Sequence, residues 1–160
     1  AGTALVIIRD DLMGHAMEKT PSLLEYTVYA QSHSLSNTNN TFAIYTMCLV
    51  MEWLKNQGGV EAMDKTNTEK ANTLYQVIDD SDFYKGTAYK EDRSVMNVTI
   101  TLPDDALTQQ FLAEALENGL YALKGHRLVG GIRASIYNAM PLEGCQALAA
   151  FMQEFERTNG

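Results

Sequence analysis

The stretch from Thr41 to Gln57 constrains the fold more than any other part of this sequence. Phe42, Ala43, Ile44, Tyr45, Met47, Cys48, Leu49, Val50, Met51, Trp53 and Leu54 all fall within it. Asn40 or Thr41 is placed to cap a helix there, and Gly58-Gly59 to stop it. Wound at about 3.6 residues per turn, these side chains occupy nearly the whole circumference. A helix that is apolar all round has to be covered on every side. The pattern predicts a helix lodged between two domains or between two subunits.

The start of the chain points the same way. Leu5-Val6-Ile7-Ile8 is a short β-branched run, the pattern of a strand buried on both faces. Such a strand needs neighbours on both edges, and residues 10 to 40 offer no obvious second strand. Only Ala1-Gly2-Thr3-Ala4 precede it, with no initiator Met and no signal or transit segment. The expectation is a fragment, cut from a larger protein just before a central strand. From Asp10 to Asn40 the chain reads as irregular and polar, and loops of that length are usually functional.

Beyond Gly59 the periodicities are those of a smaller α+β unit. Val60, Met63, Ala71, Leu74 and Ile78 form one helical stripe, which ends at Asp79-Asp80-Ser81-Asp82. Met96, Val98, Ile100 and Leu102 alternate with polar residues, as a half-buried strand does. Pro103-Asp104-Asp105 opens a helix with Leu107, Phe111, Leu112, Ala115 and Leu116 inward, and Asn118-Gly119 closes it. Leu120 to Leu123 reads as a short strand and Ile132 to Ala139 as a longer one. Pro141 starts a last helix with Leu142, Cys145, Leu148, Ala149 and Met152 inward. The order β-α-β-β-α predicts helices layered on one face of a small, mainly antiparallel sheet.

Charge and composition exclude some functions. Lys+Arg 12 against Asp+Glu 20 gives a net charge of -8, which argues against a duplex nucleic-acid binder. No apolar run approaches the roughly 20 residues of a membrane helix. Cys48 and Cys145 form no CxxC, and read as reduced, buried thiols of a cytoplasmic protein.

Two clusters could carry chemistry. Asn37-Thr38 precedes the apolar helix, where an amide, a hydroxyl and free backbone N–H groups make a neutral phosphate site. The same residues also read as a polar loop followed by an ordinary N-cap. Gly125-His126-Arg127 and Gly130-Gly131-Ile132-Arg133 form the second cluster. Glycines let backbone and guanidinium approach a ligand closely, and Arg133, opening an apolar strand, suits a bidentate grip on a carboxylate. A glycine-rich hairpin with solvated arginines fits the pattern as well. No metal site is expected, because His126 has only His15 and His33 as fellows and neither has ligand spacing. There is no GxSxG, HExxH or GxGxxG, and Lys124 reads as a surface lysine at a turn.

The phrases themselves carry a resemblance. Pro21-Ser22-Leu23-Leu24-Glu25-Tyr26, Asn37-Thr38 with Thr41-Phe42-Ala43-Ile44-Tyr45, and Trp53-Leu54-Lys55-Asn56-Gln57-Gly58-Gly59 resemble the phosphoserine aminotransferase family. So do Leu123-Lys124-Gly125-His126-Arg127, the run from Gly130 to Ala139, and the ending Phe155-Glu156-Arg157. The resemblance implies an α/β fold overall, that of a fold type I pyridoxal phosphate aminotransferase. Residues 1–57 would be the end of its large domain, with the cofactor-phosphate loop and an interface helix. Residues 58–160 would be its C-terminal small α+β domain. It implies pyridoxal phosphate as cofactor, a homodimer, a missing N-terminal large-domain segment, and amino transfer between glutamate and 3-phosphohydroxypyruvate in serine and pyridoxine biosynthesis.

Site residues follow by position. Asn37 and Thr38 match residues that bind the cofactor phosphate across the dimer interface. Arg133 matches the arginine that holds the substrate α-carboxylate. His126 and Arg127 match residues that help bind the phosphate of phosphoserine or the distal carboxylate of glutamate, also from the neighbouring subunit. The family's Schiff-base lysine would fall upstream of Ala1, so the chain by itself is expected to be inactive. One departure is visible: relatives usually carry two prolines where Asn39 and Asn40 stand. The competing readings are a stand-alone module binding a small acid through Arg127 and Arg133, and another aminotransferase of the same fold.

Overall fold

A computed structural model describes residues 2–160. The chain separates into a first unit ending at Asn56 and a second, Gln57–Gly160.

In the first unit, two short 3-10 turns, Asp10–Leu12 and Ser22–Leu24, lead into α1 (Tyr26–Gln31) and then α2 (Thr41–Asn56). α1 falls in the stretch expected to be irregular. α2 forms where the sequence placed it, and Asn40 is its cap: the Ala43 amide donates to Asn40 Oδ1 at 3.1 Å. Two expectations are corrected. Residues 5–8 form no strand, and Leu5, Val6 and Ile7 are exposed. A strand exists only by pairing, and no described segment pairs with them. The cover expected for α2 comes from another domain or subunit, and within this chain the helix holds no buried residue, with Phe42 78% exposed. Cys48, on the same helix, is exposed and not buried.

The second unit is built on α3 (Gly59–Asp79), β1 (Lys85–Gly86), β2 (Asn97–Thr101), α4 (Asp105–Glu117), β3 (Ile132–Ser135) and α5 (Leu142–Asn159). The sheet is antiparallel in the order β1-β2-β3, with Lys85 opposite Thr101, and Asn97 to Ile100 opposite Ser135 to Ile132. Alternation sends Val98, Ile100, Ile132, Ala134 and Ile136 into the core, where Leu74 and Ile78 of α3 and Leu148 and Met152 of α5 meet them. Phe111 is fully buried, with the rings of Phe151 and Phe155 edge-on to it at 5.0 and 5.1 Å. α4 starts at its acids as expected, since Asp104 accepts from the Leu107 amide at 2.7 Å.

Differences in detail have local causes. β3 stops at Ser135, and residues 120–123 form no strand; Lys124 alone bridges to Ile132. Val60 and Leu116 are exposed, at the ends of their helices. Lys70 is fully buried on the α3 stripe, its ammonium donating to the carbonyls of Ile136 (3.1 Å), Tyr137 (2.8 Å) and Met140 (3.1 Å). Those bonds use all three donors of the ammonium and fix the turn that follows β3. Asn67, one turn earlier, donates to Asn138 at 2.9 Å. Cys145 is buried, and burial pushes its thiol up, as befits an inert core residue.

Candidate functional site

The two clusters fall in different units. In the first, α1 ends in a double left-handed turn, His33 (φ 51°) and Ser34 (φ 65°), and the Ser34 amide returns to Tyr29 O at 2.7 Å. The Asn39 amide donates to Ser34 O at 2.9 Å, and Asn40 caps α2. The loop carrying Asn37 and Thr38 is therefore clasped at its base by side-chain hydrogen bonds from Asn39 and to Asn40. Asn37 and Thr38 themselves are exposed, and among the described residues their side chains make no hydrogen bond. Amide and hydroxyl donors beside a helix start fit a phosphate group.

The second cluster is a loop on the sheet. Gly125 N donates to Gly131 O at 2.9 Å, and the His126 carbonyl accepts from the amides of Val129 and Gly130. His126 Nδ1 also lies 3.3 Å from the Leu128 amide. The two arms of the loop approach so closely that a Cβ on Gly125 would lie 1.9 Å from Gly130 O. Gly131, at φ +65°, would set its Cβ 2.5 Å from Ile100 O. These glycines are required by the fold itself, before any ligand. His126 and Arg127 stand exposed on the loop that results.

Arg133 follows on β3, on the face opposite the core. Its amide donates outward to Leu123 O at 2.7 Å, and Thr99 O, on the facing strand, accepts from Thr87 N at 3.2 Å. Thr99 and Arg133 thus form the closer, non-hydrogen-bonded kind of cross-strand pair. The polar face comprises Asn97, Thr99, Thr101, Arg133, Ser135 and, past the strand end, Tyr137. Arg133 is half-buried, and its Nε is buried with no protein partner. An orphaned guanidinium nitrogen fits an anionic ligand.

The sequence singled out these five residues and passed over Lys70 and Asn67, which the fold buries. Their signal was present, because residues 63, 67, 70, 74 and 77 follow the helical repeat on the buried stripe.

Comparison with known proteins places this geometry. The aminotransferase class-V family matches residues 1–148, and the chain belongs to that family. Within it, the chain is similar to solved phosphoserine aminotransferases. One, studied for radiation damage of its Schiff base, is 47% identical with a TM-score of 0.89, over 94% of this chain and 42% of that one. The enzyme from Bacillus circulans subsp. alkalophilus is 41% identical with a TM-score of 0.91, over 96% and 43%. A PLP-bound enzyme from Trichomonas vaginalis is 34% identical with a TM-score of 0.81, over 86% and 39%. The chain spans about two fifths of the length of these relatives.

Proposed function

We propose that the chain acts as the C-terminal part of a phosphoserine aminotransferase, moving an amino group between glutamate and 3-phosphohydroxypyruvate in serine and pyridoxine biosynthesis. The observation that carries this reading is Arg133, whose Nε is buried and unpartnered on the polar face of a sheet. It stands in a chain 41–48% identical to phosphoserine aminotransferases. Both amino-acid substrates bear an α-carboxylate and a distal anion, so one arginine for each end accounts for dual recognition. Arg133 holds the shared α-carboxylate. Arg127, with His126, holds the phosphate or the distal carboxylate.

Asn37 and Thr38 hold the phosphate of pyridoxal phosphate, which when bound supplies the electron sink that transamination needs. The lysine that carries the cofactor and moves the proton lies, on this reading, in a segment preceding Ala1. The first unit closes a large domain and the second is the small domain. The protein works as a cytoplasmic homodimer, with α2 covered at an interface. Among the described residues no helix is long and apolar enough to cross a membrane.

The test uses the full-length protein at saturating cofactor. Arg133→Ala is expected to lower kcat/KM for glutamate and phosphoserine about equally, by about 2–5 kcal/mol in transition-state binding. Arg127→Ala is expected to harm phosphoserine more than glutamate, because a dianion depends more on the cation. The opposite pattern, with Arg133→Ala discriminating and Arg127→Ala not, overturns the assignment.

A further inference from the structure

We infer that Asn97 is a second donor to the substrate α-carboxylate, acting beside Arg133; this rests on the reading of Arg133 just given. Asn97 lies directly opposite Ser135, two residues along β3 from Arg133, on the same polar face. A diagonal neighbour of this kind stands about 7–8 Å away, within reach of a long side chain. What singles out Asn97 is how its amide is held. Its Oδ1 takes the Ser135 hydroxyl at 3.1 Å and the Tyr137 hydroxyl at 3.4 Å. With Oδ1 turned to both hydroxyls, the Nδ2 donors are left over. Among the described residues Nδ2 makes no hydrogen bond.

The chemistry of a carboxylate calls for that donor. It offers about four lone-pair sites, of which a guanidinium fork fills two. Arg133 presents an unpartnered Nε for one of those bonds. An amide N–H from the neighbouring strand fills a third without adding charge. Ser135 and Tyr137 are then positioning residues, acting on the substrate only through the amide they orient.

The test is Asn97→Asp in the full-length protein. The carboxylate keeps its acceptor bonds from Ser135 and Tyr137, but loses the donor and brings a negative charge to the site. KM for glutamate and phosphoserine is expected to rise together, by about 10–100-fold, with a smaller change in kcat and an unchanged Tm. A structural role alone would move Tm and leave KM in place, and that result overturns the inference. Tyr137→Phe is the second variant, chosen because Tyr137 is 57% exposed and the change leaves packing intact. It should raise both KM values a few-fold by releasing the amide; if Asn97→Asp does not fold, an unchanged KM in Tyr137→Phe overturns the inference. Arg133→Ala separates the two claims. If it leaves both substrates unaffected, the reading of the site fails. If it impairs them while Asn97→Asp does not, only the role of Asn97 fails.

Discussion

The two units carry similar apolar side chains and use them in opposite ways. Among the described residues of the first unit none is buried, although Phe42, Ile44, Tyr45, Leu49, Val50, Met51 and Trp53 line a single helix. In the second, apolar residues of all three larger helices and the sheet close one continuous core around Leu74 and Phe111, both fully buried. The difference lies in what each helix meets. α3 and α5 each turn one stripe toward the sheet and keep a polar back. α2 is apolar on every side, so no single neighbour can satisfy it. Hydrophobicity alone therefore does not tell a core helix from one that awaits cover; the width of the apolar arc does.

The largest effect that separates the units is a pair of truncations. Phe111→Ala is expected to cost about 3–5 kcal/mol, because it empties the centre of the aromatic cluster. Phe42→Ala in the same chain should change stability by less than about 0.5 kcal/mol. Denaturant midpoints of the two variants, measured on this chain by itself, check this, and equal losses would mean that α2 is covered within the chain and not by a partner.

A smaller effect concerns the ion cluster at the end of α3. Asp79 accepts from Arg93 at 2.6 and 2.9 Å and pairs with Lys90 at 3.0 Å, while Arg93 stacks over the Tyr75 ring at 4.4 Å. The hydrogen bonds from Arg93, then Lys90, hold the Asp79 carboxyl well below its usual range of about 3.8. Since the folded value is depressed, the contribution is complete above that usual value and fades as pH falls through the folded one. Asp79→Asn should cost about 1.5–3 kcal/mol at neutral pH and lose little more in acid. Urea titrations at pH 7 and pH 2.5 measure both. An acid loss unchanged by the substitution removes the cluster from the account.

The smallest effect asks whether the order of the second unit extends into its loops. Ala122 is exposed at φ 60°, a left-handed position that costs a residue with a Cβ. Ala122→Gly should therefore raise stability by about 0.5–1 kcal/mol, seen as a higher Tm. A fall in Tm would show that Ala122 is held there by packing.

How much of this was legible depends on whether the deciding contact is local. Asn40, Asp104 and the glycine stops announced their helices because a cap is made within a few residues. The stripes of α3 and α5 were readable by period, apart from Val60 at a helix end. β1 was not readable, since two residues, Lys85 and Gly86, carry no period and exist only as partners of Thr101 and Ile100. Leu5 to Ile8 failed for the reverse reason: they have strand composition without a strand to join. At the site, Arg133 and the glycines were visible as residue types. The clasp by Asn39, the buried ammonium of Lys70 and the oriented amide of Asn97 were not, because each depends on a partner brought in by the fold.

The facing of Arg133 also has a consequence for how the chain can go wrong. β2 and β3 are joined through α4 and a long loop, so no tight turn fixes their alignment. A slip of one residue between them would exchange the two faces of β3 and drive the guanidinium into the space now held by Ile132 and Ala134. The close seat of Gly131 on the Ile100 carbonyl, where no Cβ fits, opposes that slip. In the direction that would bring Ile132 to that seat, one glycine thus guards the orientation of a charge two residues away, and a misaligned sheet would lose its core and the polar face that carries Arg133 together.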